Sequence, residues 1–155
     1  MGQPGDLISE GDKAPEFEAV DDRGNPISLR SLLANGAAVL VFYPGDNTPV
    51  CTSQLCAFRD NYAELTALGV TVAGVNAAGV AKHRSFAERH SFPFPLIADI
   101  GGEIAKKYGC RAMFGLTKRT VYAITADGVI CCARRGNPNP AEIVKALKAA
   151  GKASQ

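Results

Sequence analysis

The sequence contains no tryptophan, only two methionines and two histidines, and no massed run of charge of either sign. No apolar stretch approaches the ~18 residues that would cross a bilayer, so a membrane-spanning helix is not expected. Met1-Gly2-Gln3-Pro4-Gly5-Asp6 has neither a basic start nor an apolar core, and so lacks the marks of a secretory signal. Asp6 stands where N-myristoylation requires Ser or Thr. A Gly-x-Gly-x-x-Gly segment or other phosphate-cradling loop is also missing, which leaves nucleotide and flavin binding unsupported; no cofactor is expected. A cytoplasmic location is the corresponding expectation.

What is present fits a self-sufficient fold. With 46% hydrophobic and 21% charged residues, the composition is not that of a disordered chain. A chain of 155 residues buries about two-thirds of its unfolded surface and builds a core without disulfide staples. One domain over 1–155 is expected, with 1–9 and 152–155 loosely ordered. The net charge of +2 hides an asymmetry: residues 1–100 carry seven basic and twelve acidic side chains, residues 101–155 ten basic and three acidic. The basic residues of the second part are interleaved with apolar positions (Lys106, Lys107, Lys145, Lys148), so they read as solvated helix faces. Nucleic acid is not an expected partner.

Five cysteines are the unusual feature of this composition. An odd number without a signal segment argues against an extracellular disulfide framework. Thiol redox chemistry, a metal site and inert buried thiols remain.

Apolar patterning gives an alternating α/β order. Ala37–Tyr43 and Val70–Val75 read as buried strands, Pro95–Ala98 as a short one, and Thr120–Ile124 with Val129–Ala133 as a hairpin about Asp127-Gly128. Helices are predicted from Ser28 to Leu33, Thr48 to Leu68, Ala81 to His90, Glu103 to Tyr108 and Pro140 to Ala150. Gly69 and Gly151 are the expected stops, and Asn139 the cap of the last helix. Residues 1–18 read as mostly irregular and Asp21–Pro26 as a turn cluster. Right-handed crossovers with a terminal hairpin give a mixed β-sheet with helices on both faces, a thioredoxin-like layout; a small flavodoxin-like sheet fits the same pattern.

Thr48-Pro49-Val50-Cys51 is the most informative segment. A buried strand runs into a tight turn, Thr48 can cap the next helix, and Pro49 occupies the first helical position it favours. Cys51 then lies in the first turn, where free N–H groups and the helix dipole favour a thiolate and should lower its pKa below about 8.5. The alternative is a buried cysteine in phase with Leu55 and Phe58. A fall to about 6 raises the thiolate fraction at pH 7 roughly thirtyfold, but the loss of nucleophilicity returns about tenfold of it. Fast chemistry at Cys51 therefore needs neighbours that stabilise a transition state, such as a hydroxyl and a fixed cation. Cys56, five residues on, would lie about 8.6 Å away between Cα atoms in an ideal helix. A disulfide tolerates at most about 6.8 Å, so Cys51 and Cys56 cannot bridge while the helix is intact.

The stretch Pro44-Gly45-Asp46-Asn47-Thr48-Pro49-Val50-Cys51, with Cys56 and then Arg59-Asp60, resembles the active-site segment of peroxiredoxins. The second cysteine resembles that of the peroxiredoxin Q, or bacterioferritin comigratory protein, subgroup. Gly11–Phe17 and Val75 to Asp99 are similar to further family segments, and the likeness extends over about positions 10 to 148. It implies a thioredoxin-like fold and reduction of hydrogen peroxide or organic hydroperoxides, with Cys51 as the peroxidatic and Cys56 as the resolving cysteine. Thr48 would orient the peroxide, Pro44 would shield the sulfur, and Arg119 would supply the cation, with Lys118 as its competitor. A transient Cys51–Cys56 disulfide would be recycled by thioredoxin or a similar dithiol donor, in a monomer or else a dimer.

Cys110, Cys131 and Cys132 lie outside the motif and read as packing residues. Cys131 and Cys132 are adjacent in a strand and expected to face opposite sides. His83 and His90 lie seven apart with no ligand partners at metal spacing, so a surface role is expected and no metal site is assigned. Two alternatives stand beside a peroxidase. A thioredoxin-like disulfide reductase would use Cys-x-x-Cys, usually beside a tryptophan. The other is a metal-binding or peroxide-sensing module without turnover; zinc sites favour closer, repeated ligand pairs, which Cys51 and Cys56 do not offer.

Overall fold

The computed structural model describes residues 7–112 and 115–153. Seven strands form one mixed sheet in the order β2-β1-β5-β4-β3-β6-β7. β3 (Ala38–Phe42) is an interior strand of this sheet and is buried on both faces. It runs parallel to β4 (Thr71–Asn76), which runs parallel to β5 (Leu96–Ala98). On its other side β3 pairs antiparallel with β6 (Thr120–Ile124), and β6 with β7 (Ile130–Arg135). Alternation along β3 divides the core. Val39 and Val41 face a cluster built with α2 (Pro49–Asp60), α3 (Tyr62–Ala67), α4 (Val80–His90) and α6 (Pro140–Ala153). Ala38, Leu40 and Phe42 face the opposite cluster, where α1 (Leu29–Leu32) and α5 (Glu103–Lys107) pack.

Several expectations are corrected. The turn cluster at Asp21–Pro26 joins two strands that the sequence pattern did not reveal, β1 (Glu18–Asp21) and β2 (Pro26–Ser28). They add an antiparallel edge to β5. The helix expected over Thr48–Leu68 is interrupted at Asn61, whose side-chain amide donates to the Ala57 carbonyl at 2.7 Å. The last helix runs through Gly151 to Ala153 instead of stopping there; Asn139 caps its start by accepting from Ala141 N at 3.0 Å. Of the terminal segments expected to be loose, Leu7 and Ile8 pack on the second cluster, and Ile8 N donates to Tyr122 Oη at 3.1 Å. Residues 1–6 and 154–155 lie outside the described residues.

Cys131 and Cys132 do not face opposite sides. Ala123 pairs with Cys132 and Ile124 with Ile130, so β7 spends one extra residue at a bulge. Both thiols consequently pack toward the α6 cluster, Cys132 buried and Cys131 half-buried.

Candidate active site

β3 delivers the chain to the C-terminal end of the parallel strands, where open α/β sheets present reactive groups. Tyr43 is still buried; Pro44, Asn47, Thr48, Pro49 and Val50 are exposed. Pro49 opens α2 and Cys51 falls in its first turn with its side chain fully buried. Thr48 occupies the cap position, and Thr52 N donates to its carbonyl at 2.9 Å. Its hydroxyl does not cap the helix, contrary to the expectation from sequence. It donates to the Gly45 carbonyl at 3.3 Å, back across the turn, so its lone pairs are not used on helix N–H groups.

Arg119 lies one residue before β6 and reaches α2 with both arms of its guanidinium. Nη2 donates to Cys51 Sγ at 3.1 Å and Nη1 to Gln54 Oε1 at 2.7 Å. A fixed cation in contact with the sulfur favours negative charge there, beside the free N–H groups of the helix start. Residues 119, 121 and 123 share one side of the strand alternation, and Val121 and Ala123 belong to the Cys51 cluster. Lys118, on the alternate side, is exposed.

Gln54 is a functional neighbour that the sequence reading missed. It is fully buried, and its Nε2 lies 3.4 Å from the Gly136 carbonyl it faces. Gly136 N in turn donates to Arg119 O at 2.8 Å. Gln54 thus holds the arginine's side chain, and Gly136, which Gln54 also faces, holds its backbone. The signal was available: Gln54 is three residues after Cys51 and shares its helix face.

Cys56 is half-buried within the regular part of α2, and all five cysteines are free thiols. Cys110, Cys131 and Cys132 have their pKa values raised by burial, Cys131 to about 11. Arg135 opposes this at Cys110, where its Nη1 lies 3.8 Å from the sulfur.

His83 is not at the surface, as the sequence reading expected; it is fully buried. Its Nδ1 lies 2.7 Å from Asp46 Oδ2 and its Nε2 3.2 Å from the Asn76 carbonyl. Helical phase puts it with Phe86 and Ala87 on the inward face of α4.

A thioredoxin-like sheet that presents a guanidinium-clamped cysteine at a helix start defines a class of α/β proteins whose chemistry is nucleophilic attack by sulfur. The chain belongs to the AhpC/TSA family, whose model matches residues 10–132, and it is a thiol peroxidase of the peroxiredoxin type. It is 36% identical over 149 residues to the chloroplastic peroxiredoxin Q of Arabidopsis thaliana, covering 92% of this chain and 68% of that one. Of the peroxiredoxin Q of japonica rice it spans 57%. Its fold is similar to that of the peroxidoxin BcpB of Mycobacterium tuberculosis, with a TM-score of 0.83, 34% identity and coverage of 91% and 95% of the two chains. The Xanthomonas campestris peroxiredoxin Q structure superposes with a TM-score of 0.79 at 25% identity, over 86% and 90%. No helix among the described residues is long and apolar enough to cross a membrane.

Proposed function

We propose that the chain reduces hydrogen peroxide and organic hydroperoxides with Cys51 as the attacking sulfur and Cys56 as the resolving one. The observation that carries this reading is the contact of the Arg119 guanidinium with Cys51 Sγ at 3.1 Å, in the first turn of α2. The thiolate attacks one peroxide oxygen, the O–O bond breaks, and the departing alkoxide or hydroxide takes up a proton. Sulfur is oxidised to the sulfenic acid and the peroxide reduced to alcohol or water. Arg119 offers its N–H groups to the charge on sulfur and oxygen, and the Thr48 hydroxyl lies in the turn that leads to the thiol. Pro44, exposed at the start of that turn, is assigned the shielding of the sulfur.

The first half of α2 then unwinds, Cys56 Sγ attacks the sulfenic sulfur, water leaves, and a Cys51–Cys56 disulfide results. A thioredoxin-like dithiol returns it to two thiols by exchange. The chain works as a monomer in a reducing compartment such as the cytoplasm.

Mass mapping after one equivalent of peroxide tests this. The wild-type chain should give an intrachain Cys51–Cys56 link. Cys56→Ser should stop at one oxidised sulfur on Cys51, and Cys51→Ser should leave peroxide unconsumed. Turnover by Cys51→Ser would end the assignment. A disulfide reductase would instead reduce insulin at a rate unaffected by peroxide.

A further inference from the structure

Between Pro44 and Val50 only Asp46 is buried. It is the single internal anchor of the turn that carries Thr48, and it belongs to a closed ring of hydrogen bonds. Tyr43 Oη donates to Asp46 Oδ1 at 2.7 Å, and Asp46 Oδ2 meets His83 Nδ1 at 2.7 Å. His83 Nε2 meets the Asn76 carbonyl at 3.2 Å, and Asn76 Nδ2 donates to the Tyr43 carbonyl at 2.9 Å. The ring ties the end of β3, the active-site turn, α4 and the end of β4 to one another. Asp46 and His83 side chains are both 0% exposed.

We propose that Asp46 and His83 are positioning residues for the peroxide reaction, acting by holding the Pro44–Thr48 turn against the thiol helix through this ring. The inference rests on the peroxidase reading of Cys51. Its proton count is constrained. The Asn76 carbonyl can only accept, so His83 Nε2 carries a hydrogen. One further proton then lies between Nδ1 and Asp46 Oδ2. The pair is net neutral whichever of the two holds it, so the two titratable groups are buried together without net charge. The turn needs such a fixture, because Asn47 adopts a left-handed conformation (φ 64°) immediately before Thr48. The Thr48 hydroxyl bonds within the turn, to the Gly45 carbonyl, and so does not tie the turn to the rest of the fold. Loss of the anchor frees Thr48 from its place while Cys51, Arg119 and Gln54, fixed by α2 and β6, stay where they are.

Two rate constants for Cys51 separate this role from general damage: oxidation by hydrogen peroxide and alkylation by iodoacetamide, each measured in single turnover by quenched mass spectrometry. Alkylation requires a reachable thiolate but no oriented peroxide. Asp46→Ala should slow peroxide oxidation ~10–100-fold, the cost of a misplacement of about an ångström, and change alkylation less than about threefold. Asp46→Asn should rescue the peroxide rate. Asn keeps an acceptor for Tyr43 and donates its amide to a neutral His83 that still donates from Nε2. An Asp46→Ala peroxide rate near wild type, a proportional fall in both rates, or no rescue by Asn would each overturn the proposal. If Asp46→Ala does not fold, the ring nitrogens of wild-type His83 decide. A protonated Nε2 in the ¹⁵N spectrum at pH 7 is required, and a ring protonated only at Nδ1 overturns the ring. A wild-type Cys51 that reacts with peroxide no faster than a free thiol would instead end the peroxidase reading, leaving the Asn76–His83 bond to be judged separately by that spectrum.

Discussion

Arg119 touches Cys51 and Gln54 with different nitrogens, Nη2 to the sulfur at 3.1 Å and Nη1 to the amide oxygen at 2.7 Å. The guanidinium plane is therefore set by a neutral side chain on the same helix face as the thiol. Arg119→Ala should lower the second-order rate of peroxide reduction about 10²- to 10³-fold, as expected for removal of a preorganised donor. Arg119→Lys should recover little, because an ammonium cannot reach both partners in a fork. Gln54→Ala should cost about tenfold, the worth of one hydrogen bond to a charged group. Stopped-flow competition for peroxide measures all three, and equal losses for Gln54→Ala and Arg119→Ala would contradict this division of roles.

A second expectation follows from the break at Asn61. α2 and α3 are separate helices, and the C-terminal end of α2 is held by Arg59 Nη1, which donates to the His90 carbonyl at 2.7 Å. Unwinding between Cys51 and Cys56 can thus end before α3. Deuterium exchange on oxidation should rise across residues 50–58 and remain unchanged over 62–67. Unchanged exchange over 50–58, or a rise extending through α3, would contradict a local opening.

Strong periodicity made most of this architecture legible. The all-apolar run at Ala38–Phe42 and the three- and four-residue steps from Cys51 to Phe58 report burial directly. β1 and β2 escaped because they are short and partly exposed, and because their hairpin joins the sheet only through β1 on β5, a partner more than 70 residues distant. At the site, Cys51 and its helix start were readable from local residues alone. The choice between Lys118 and Arg119 was also available, since 119 is in phase with the inward Val121 and Ala123. His83 was misplaced for the opposite reason. Its partners Asp46 and Asn76 lie on other elements, and a histidine in the phase of Phe86 carries no mark of the carboxylate it meets.

Stability should fall with alkali. Burial raises the Cys131 thiol to about 11, and raises Cys110, Cys132 and the Tyr43 hydroxyl as well. An unfolded thiol ionises near 8.5. Above that pH the unfolded chain releases protons that the folded chain retains, which favours unfolding. The contribution of Cys131 is thus complete below about pH 8.5 and lost as pH rises toward 11. Urea midpoints at pH 7, 8.5, 9.5 and 10.5 should be level at first and then decline. Cys131→Ala should make the decline shallower; a decline of equal slope would remove Cys131 as one of its causes.

Gly74 is required for space and not for backbone freedom, since its φ is not among the positive values. A β-carbon there would lie 2.7 Å from Leu96 Cδ2, 3.1 Å from Tyr43 Cε1 and 3.6 Å from Leu55 Cδ2. The Leu96 methyl is the end of a movable side chain, but the Tyr43 ring is fixed by its hydroxyl on Asp46. Gly74→Ala should therefore destabilise the fold by about 1–3 kcal/mol, the range for overpacking a core. Relief by moving Tyr43 would pull on the Asp46 anchor, so the peroxide rate of Cys51 should fall as well. Relief by moving Leu96 would lower stability and leave that rate intact. Denaturation and single-turnover oxidation on the same variant distinguish the two, and stability equal to wild type would contradict the close approach of β4, Tyr43 and α2 at this position.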